Sequence, residues 1–182
     1  EMSLNKKRLI VNSGTSVYGI SAERQRQRGT AAHSTLCLAN ENSSEVWGGF
    51  RVGRRAHVSG ILAEQTLKVL KLTAQHDGYC HLAGRPKHRR TWCLEKSSFT
   101  IQDDIIGRNF QPCDIRFHLA PDIYVKACNH GTAILSDCDG NQIAKVSSTP
   151  KGALNIENST WHPEFGKVVP NLCISIKFNE NA

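Results

Sequence analysis

The sequence predicts an all-β protein, an antiparallel β-sandwich of roughly 11–13 strands with little helix. Short stretches such as 115–119 and 172–178 alternate apolar and polar residues, with the two-residue period of half-buried strands. Turn-forming residues, among them Asp77-Gly78 and Asp139-Gly140-Asn141, separate these stretches at a spacing that is typical of sandwiches. Helical periodicity is weak throughout the chain.

The alternation and the turn signals together define the predicted strands. In chain order they are 8–12, 33–39, 47–58, 67–74, 88–94, 99–102, 115–119, 123–127, 132–135, 142–146, 153–156 and 172–178. The best helical candidate, Ala22–Arg28, is too short and too polar to bury a face. We therefore interpret residues 13–30 as a long loop that leaves the sheet, the kind of segment that often carries function.

Length and composition favour one domain with one core. The chain has 182 residues, of which 39% are hydrophobic, and a formal net charge of +7. Such a surplus favours anionic partners, namely nucleic acid, acidic lipid or acidic polysaccharide, and does not choose among them. Nucleic acid is the weakest of the three, because the interleaved aromatic residues of an oligonucleotide-binding sheet are missing.

Several other classes are disfavoured. The seven cysteines include no Cys-x-x-Cys pair, which argues against a zinc ribbon or a thioredoxin-type site, and disulfides are not required at this size. No apolar run approaches the length of a membrane span. P-loop, nucleophile-elbow and Rossmann glycine patterns are also missing from the sequence.

The first four residues, Glu1-Met2-Ser3-Leu4, are interpreted as an expression scar, so that the domain covers residues 5–182. The basic stretch from Lys6 begins as a strand without a preceding partner. The chain is therefore expected to be a piece of a longer protein. Its sequence gives no information about the targeting signals of that protein.

An ordered series of motifs resembles the heparinase II/III family of polysaccharide lyases. The motifs are N-S-G-T at 12–15, A-H-S-T at 32–35, W-G-G-F-R-V-G-R-R-A at 47–56, Q-H-D-G-Y at 75–79, H-R-R at 88–90, F-H-L-A-P at 117–121 and W-H-P-E-F-G at 161–166. Each motif alone is short, but their order over nearly the whole chain is specific.

The resemblance implies a C-terminal β-sandwich that partners an N-terminal helical toroid, here absent. It implies a bacterial protein of the periplasm, cell envelope or secreted fraction. Such proteins cleave uronic-acid-containing polysaccharides, including glycosaminoglycans, by β-elimination: a base removes the proton beside the sugar carboxylate, and an acid protonates the departing oxygen. Because most catalytic groups belong to the toroid, the chain alone is expected to be inactive.

The resemblance also implies where metal and substrate would lie. Family members that bind zinc use an upstream His, the Asp of the D-S-G turn and the His of A-H-N-T. Here the corresponding positions are Asn12 and His33, and a neutral amide is a poor zinc ligand. We therefore expect this chain to bind no cofactor. Zinc binding is expected only in a complete parent protein.

His33 remains the best candidate for a supporting catalytic residue, with a structural histidine at the base of a loop as the alternative. Tyr18 and the arginines Arg24, Arg26 and Arg28 are candidate substrate-binding residues, because guanidinium groups pair with carboxylate or sulfate. The alternative for these arginines is a solvated or domain-facing basic loop.

Three further groups have less specific interpretations. The adjacent His76 and Asp77 are expected to point to opposite faces of a structural hairpin. His118 alternates with apolar neighbours and is predicted to be exposed or to form an interface. The loop of Trp161, His162, Pro163 and Phe165 is predicted mainly to pack at the edge of the sandwich, with sugar stacking as the alternative.

Two functions of different classes remain open. The first is the C-terminal domain of a lyase that acts on an anionic polysaccharide. The second is a carbohydrate-binding or interaction module without chemistry, which Asn12 in place of Asp and Ser34 in place of Asn favour.

Overall fold

The computed structural model describes residues 1–108, 111–129, 131–149 and 153–179, and it confirms the antiparallel β-sandwich. The strands are β1 Met2–Leu4, β2 Lys7–Ile10, β3 Leu36–Leu38, β4 Val46–Trp47, β5 Arg51–Val52, β6 Val58–Gln65, β7 Val69–His76, β8 Lys87–Glu95, β9 Phe99–Ile106, β10 Cys113–His118, β11 Tyr124–Asn129, β12 Thr132–Ser136, β13 Gln142–Ser147, β14 Ala153–Trp161 and β15 Val169–Phe178. One α-helix, α1 Ala22–Arg28, precedes a single 3-10 turn, Thr30–Ala32, within the described residues.

The main core lies between two antiparallel sheets. One sheet has the strand order β14-β15-β10-β3, and the other has the order β11-β12-β13. Ile174 and Ile176 of β15 and Ala133 and Leu135 of β12 belong to the same buried cluster. Ile174 pairs with residues 117 and 156, which also pack on that cluster, so the predicted alternation correctly identifies the core-facing side of the sheet.

A third sheet, with the order β6-β7-β8-β9, is separate from the two sheets of the sandwich and consists of two consecutive hairpins. Its near end packs on a second small core of Leu36, Leu38 and Tyr79, against which Ile105 of β9 also packs. Tyr79 is fully buried, and its hydroxyl donates a hydrogen bond to the carbonyl oxygen of Leu36 at 2.9 Å. The second core therefore joins this sheet to β3 of the sandwich.

A buried polar network reinforces that junction. Asp103 of β9 accepts hydrogen bonds from Arg90 Nε at 2.6 Å and from His88 Nε2 at 2.5 Å, and Arg90 also donates to the carbonyl oxygen of Ser34. Burial alone would raise the pKa of Asp103, but the hydrogen bonds from His88 and Arg90 outweigh it and hold that pKa below its usual value.

The hydrogen bonds of the network also determine which ring nitrogens of His76 and His88 carry a proton. The backbone N–H of Gly78 donates to His76 Nδ1 at 3.1 Å, so the proton of neutral His76 lies on Nε2. His76 Nε2 then donates to His88 Nδ1 at 3.1 Å, and His88 donates onward to Asp103. Burial, followed by the nearby His88, lowers the pKa of His76 to about 4. These contacts join β7 to β8 through side chains, and the structural role of this hairpin stays a prediction.

Two predictions about secondary structure are wrong. Residues 47–58 do not form one strand, because Gly48 adopts a left-handed conformation and the chain turns between β4 and β5. Ala22–Arg28 does form a helix, with the Ser21 hydroxyl accepting from the N–H of Arg24 and with Gln27 buried. A short polar helix can form here because Gln27 finds buried hydrogen-bond partners in Ser16.

His118 is also placed differently from the prediction. It points away from the apolar residues of β10, as the alternation predicts, yet it is buried. Its Nε2 hydrogen bonds with the carbonyl oxygen of Ala31 at 3.0 Å and its Nδ1 with Ser159 Oγ at 3.2 Å. The segment around the 3-10 turn therefore covers the second face of the main sheet, which a strand pattern alone cannot reveal.

Met2–Leu4 pairs with β2, so residues attributed to an expression scar take part in a sheet, while their origin stays a prediction. All seven cysteines are free thiols. No helix of the described residues is long and apolar enough to cross a membrane.

Removing the Tyr79 hydroxyl should destabilise the second core. We expect Tyr79→Phe to lower the free energy of unfolding by about 1–2 kcal/mol, because the buried carbonyl of Leu36 loses its side-chain donor. Urea denaturation measures this, with Tyr124→Phe as the control, since Tyr124 is exposed. Equal stability of the two variants would contradict the assignment.

The histidine network should make folding sensitive to acid. The pKa of His76 is lower in the folded protein, about 4, than its ordinary 6.5, so its stabilising contribution is complete above pH 6.5 and is lost as pH falls toward 4. Urea denaturation at several pH values in this window should show a falling unfolding free energy. His76→Gln should reduce the slope, whereas the exposed His57→Gln should keep it; equal slopes would refute the role of His76.

Candidate functional site

The candidate site is the loop between β2 and β3, and its entry depends on a glycine. Gly14 has a φ of +77°, and a Cβ placed there would lie 1.9 Å from the carbonyl oxygen of His162. This close approach aligns the loop with the 161–166 segment, where His162 N donates to Ser13 O at 2.7 Å. The glycine of the N-S-G-T motif is therefore required by backbone packing.

Asn12 and His33 meet where this loop begins and ends. Asn12 Oδ1 lies 2.8 Å from His33 Nδ1, so the ring donates from Nδ1 and keeps Nε2 as its acceptor nitrogen. Burial lowers the pKa of His33, which favours the neutral ring. The pair is thus a neutral histidine in a fixed orientation, with Asn12 exposed and His33 half-buried.

The two residues do not fit a zinc site. Asn12 offers a neutral amide oxygen, which already accepts from the nitrogen of His33 that faces it. The described residues contain no group of three His, Cys, Asp or Glu side chains that could hold a metal ion. Because zinc prefers four donors from His, Cys and carboxylate, no chemical step of this chain is assigned to a metal.

Tyr18 belongs to an exposed group of stacked side chains. Its ring lies 5.3 Å from that of Phe165 at an interplanar angle of 18°, and the Arg24 guanidinium lies 5.2 Å from its centroid. Arg24 also donates from Nε to the carbonyl oxygen of Gly49 at 2.9 Å. Tyr18 thus contacts both side chains and is nevertheless 71% exposed, and Phe165 is 66% exposed.

The other two arginines, Arg26 and Arg28, bind groups of the protein itself. Arg28 donates to the carbonyl oxygens of Trp47, Gly48 and Arg51, and so fixes the hairpin of β4 and β5. Arg26 pairs with Glu23 at 2.6 Å and also donates to the Thr160 hydroxyl. The ion pair with Arg26 is the main reason that the pKa of Glu23 falls to about 2.

The predicted site residues thus form two pairs, Asn12 with His33 and Tyr18 with Arg24, and two separate anchors, Arg26 and Arg28. Burial is the main cause that lowers the pKa of the nearby His118. The N–H of His118 donates to the hydroxyl of Ser34, next to His33, and its ring bonds with Ser159, next to the Thr160 that Arg26 contacts, so the first pair and the Arg26 anchor lie near the same buried histidine. The roles of these residues in substrate binding stay predictions.

The site contains one further histidine, His162, which the sequence predicted only to pack as part of its loop. His162 has a fully buried ring whose Nδ1 hydrogen bonds with Ser13 O at 2.9 Å. Its Nε2 and the Ser13 hydroxyl are buried without a hydrogen-bond partner among the described residues. The W-H-P-E-F-G motif was the available signal, but only the close approach at Gly14 explains why it lies beside N-S-G-T.

Comparisons with known proteins agree with this architecture. Heparan sulfate lyase HepC from Pedobacter heparinus has a TM-score of 0.72 and 19% sequence identity, over 93% of this chain and 26% of that chain. A heparinase III gene product with methylated lysines has a TM-score of 0.71 and 19% identity, over 97% of this chain and 26% of that chain. At these identities the likeness shows the fold.

The chain spans about a quarter of the length of the solved structures that it matches. A comparison with curated proteins finds no match. The protein family described as Heparinase II/III-like, C-terminal, matches residues 1–182. Because that match extends over the entire sequence, the chain belongs to the heparinase II/III-like C-terminal family.

Proposed function

We propose that this chain is the C-terminal sandwich of a polysaccharide lyase that cleaves a uronic-acid-containing anionic polysaccharide by β-elimination. The family match over residues 1–182 carries the proposal. The net charge of +7 supports an anionic substrate. In this proposal a helical toroid domain, encoded by the same gene, supplies most of the catalytic groups.

The chemistry explains why the sandwich needs a partner. A carbon-bound proton beside a carboxylate becomes acidic only when cationic or hydrogen-bonding groups take up the developing charge. Arg28 and Arg24 direct guanidinium N–H groups at backbone carbonyls, and Arg26 is paired with Glu23. The bonds to carbonyls occupy N–H groups of Arg24 and Arg28 without cancelling their charge, and only Arg26 is neutralised by a carboxylate. We assign the main neutralisation of the substrate carboxylate to the toroid.

His33 is the group of the sandwich that we assign to the substrate cleft. A neutral imidazole with its proton on Nδ1 can accept a hydrogen bond or a proton at Nε2. Asn12 acts as a positioning residue, because its amide oxygen fixes the orientation of the ring. This assignment needs no metal on the sandwich.

A carbohydrate-binding or interaction module without chemistry is the second candidate. The observation that favours it is the pairing of His33 with a neutral Asn12, together with arginines that bind protein carbonyls. The two candidates predict different results of one experiment. The whole gene product cleaves the polysaccharide under the first candidate and does not cleave it under the second.

Lyase activity should require more than this chain. We expect the gene product that contains this chain to raise the ultraviolet absorbance of heparin, heparan sulfate or another uronate polymer, as unsaturated products form. The isolated chain should not. His33→Ala in the gene product should reduce kcat/KM by about 5–10-fold, the loss of one substrate hydrogen bond, whereas the exposed His57→Gln should not.

Cleavage by the isolated chain would overturn the need for a toroid. A gene product that binds these polymers without cleaving any of them would favour the non-catalytic module. Equal activity of wild type and His33→Ala would remove His33 from the cleft.

The positioning role of Asn12 can be tested by giving it a charge. We expect Asn12→Asp to raise the pKa of His33, because a carboxylate 2.8 Å from Nδ1 stabilises the protonated ring. An NMR titration of the ring measures this, with Asn12→Ala as the uncharged control. An unchanged pKa in Asn12→Asp would show that the two side chains are not in contact.

A further inference from the structure

The hairpin of β4 and β5 carries an arginine that lies over a tryptophan ring. Trp47 and Arg51 are paired directly across the two strands, so their side chains lie on the same face of the hairpin. The guanidinium carbon of Arg51 lies 4.7 Å from the centroid of the Trp47 ring. Trp47 is 46% exposed, and Phe50, between the two residues, is 81% exposed. None of these residues takes part in the chemistry assigned to His33.

The contact with the ring leaves the hydrogen-bonding groups of Arg51 free. A guanidinium over an aromatic ring is held by electrostatic attraction to the ring face and keeps its N–H donors. Among the described residues no side chain or carbonyl accepts a hydrogen bond from the Arg51 side chain, and no carboxylate pairs with it. The nearest acidic residue in the sequence, Glu45, places its carboxylate beside Gly53. The donors of Arg51 are therefore available to an oxyanion from outside the chain.

The backbone of this hairpin is held in place by two other arginines. Arg28 of α1 donates to the carbonyl oxygens of Trp47 at 3.2 Å and of Arg51 at 2.8 Å. Arg24 of the same helix donates to the carbonyl oxygen of Gly49 at 2.9 Å. Because these bonds already order the hairpin, a ligand of Arg51 does not have to supply the free energy of ordering it.

The charge of this region suits an anionic ligand. Within the part of the chain that the structure describes, Arg24, Arg28 and Arg51 form no ion pair with a carboxylate, whereas Arg26 is balanced by Glu23. Three cations that one helix and one hairpin hold together create a positive potential at the surface. This potential attracts a polyanion to the face where the N–H groups of Arg51 are free.

A second exposed aromatic residue adjoins the hairpin. Gly49 approaches Gly19 so closely that a Cβ on Gly49 would lie 2.8 Å from the carbonyl oxygen of Gly19. Tyr18, the neighbour of Gly19, is 71% exposed and lies 5.2 Å from the guanidinium of Arg24. At about 3.8 Å for each step along the chain, the Cα atoms of Tyr18 and Trp47 are at most about 16 Å apart. One oligosaccharide could therefore contact both rings.

The combination of aromatic rings and a free guanidinium indicates the chemical class of the ligand. An aromatic face packs well against the apolar C–H face of a sugar ring. The planar N–H fork of arginine binds a carboxylate or a sulfate through paired hydrogen bonds. A sugar residue with an acidic substituent has both features, whereas a neutral sugar lacks the anion and an inorganic anion lacks the ring.

We propose that Trp47, Phe50 and Arg51 form a binding site for an acidic residue of a polysaccharide. The sugar ring packs on the exposed aromatic surface, and its carboxylate or sulfate accepts hydrogen bonds from Arg51. This inference rests on the proposed function and adds to it a site that influences which polysaccharide binds. The site binds the substrate and takes no part in proton transfer.

The test compares two neighbouring arginines. Arg51→Gln removes the cation of the site, and Arg55→Gln removes the same charge from an exposed arginine that lies over no aromatic ring of the described residues. The readouts are KM and kcat of the whole gene product with heparin, and the Kd of the isolated chain for a labelled heparin oligosaccharide, measured by fluorescence anisotropy. Fully desulfated heparin, which keeps its carboxylates, distinguishes the two anionic groups.

We expect Arg51→Gln to raise both KM and Kd about 5–10-fold and to leave kcat within about twofold, as for the loss of one charge-assisted contact made in the ground state and the transition state alike. Arg55→Gln should change none of the three by more than about twofold. Trp47→Leu should raise Kd by about threefold, because Arg51 loses the ring that orients it. An effect of Arg51→Gln that persists with desulfated heparin assigns the anion as carboxylate, and one confined to heparin assigns it as sulfate.

Equal effects of Arg51→Gln and Arg55→Gln would overturn the proposal, because net charge alone would then explain binding. So would a wild-type gene product that binds none of these polymers, or one that binds single-stranded DNA more tightly than heparin at equal salt. Binding that depends on Arg51 in a gene product without cleavage activity would keep the site and reject the lyase function. Cleavage with a KM that Arg51→Gln does not change would keep the lyase function and reject the site.

Discussion

The buried carboxylate of Asp103 is the constraint on which the arrangement of the sheets depends. Its side chain is 3% exposed, and a buried charge of this kind is tolerated only with close partners, here Arg90 and His88. Arg90 also binds the carbonyl oxygen of Ser34, so one ion pair connects the outer sheet to the segment that follows His33. Loss of Arg90 would leave the buried charge without its ion-pair partner, at a cost of about 3–5 kcal/mol, whereas loss of His88 would remove one hydrogen bond and keep the ion pair.

The same network reaches the candidate site through Ser34. The Ser34 hydroxyl accepts from the N–H of His118 at 3.1 Å and contacts Val11 O at 3.4 Å, beside Asn12. Ser34, next to His33, is therefore held by contacts with two buried residues. A histidine in this position has a defined orientation before any ligand arrives, which is the condition that a substrate contact requires.

Much of the fold could be predicted from alternation, because half-buried strands such as β10 and β15 have one apolar and one polar face. Prediction failed where tertiary contacts decide: Gln27 stabilises a polar helix through Ser16, and Ala31 covers His118. His88, Arg90 and Asp103 share one face of their strands with apolar residues, which the sequence pattern shows. Only the register between β8 and β9 shows that the three polar residues form one network. The meeting of Asn12 with His33 followed from the resemblance, not from composition.

The pairing of Asn12 with His33 limits what the sandwich could contribute to a β-elimination. An amide adds no charge, so the ring stays neutral and can accept a proton or a hydrogen bond but cannot neutralise a carboxylate. The nearby arginines are directed at protein carbonyls or at Glu23. Of the three arginines of the loop, Arg26 is thus the one whose charge is balanced by a carboxylate, while Arg24 and Arg28 spend N–H groups on carbonyls. Under the proposed function, the sandwich positions one histidine, and a helical domain of the same protein would supply most of the groups that stabilise the developing dianion.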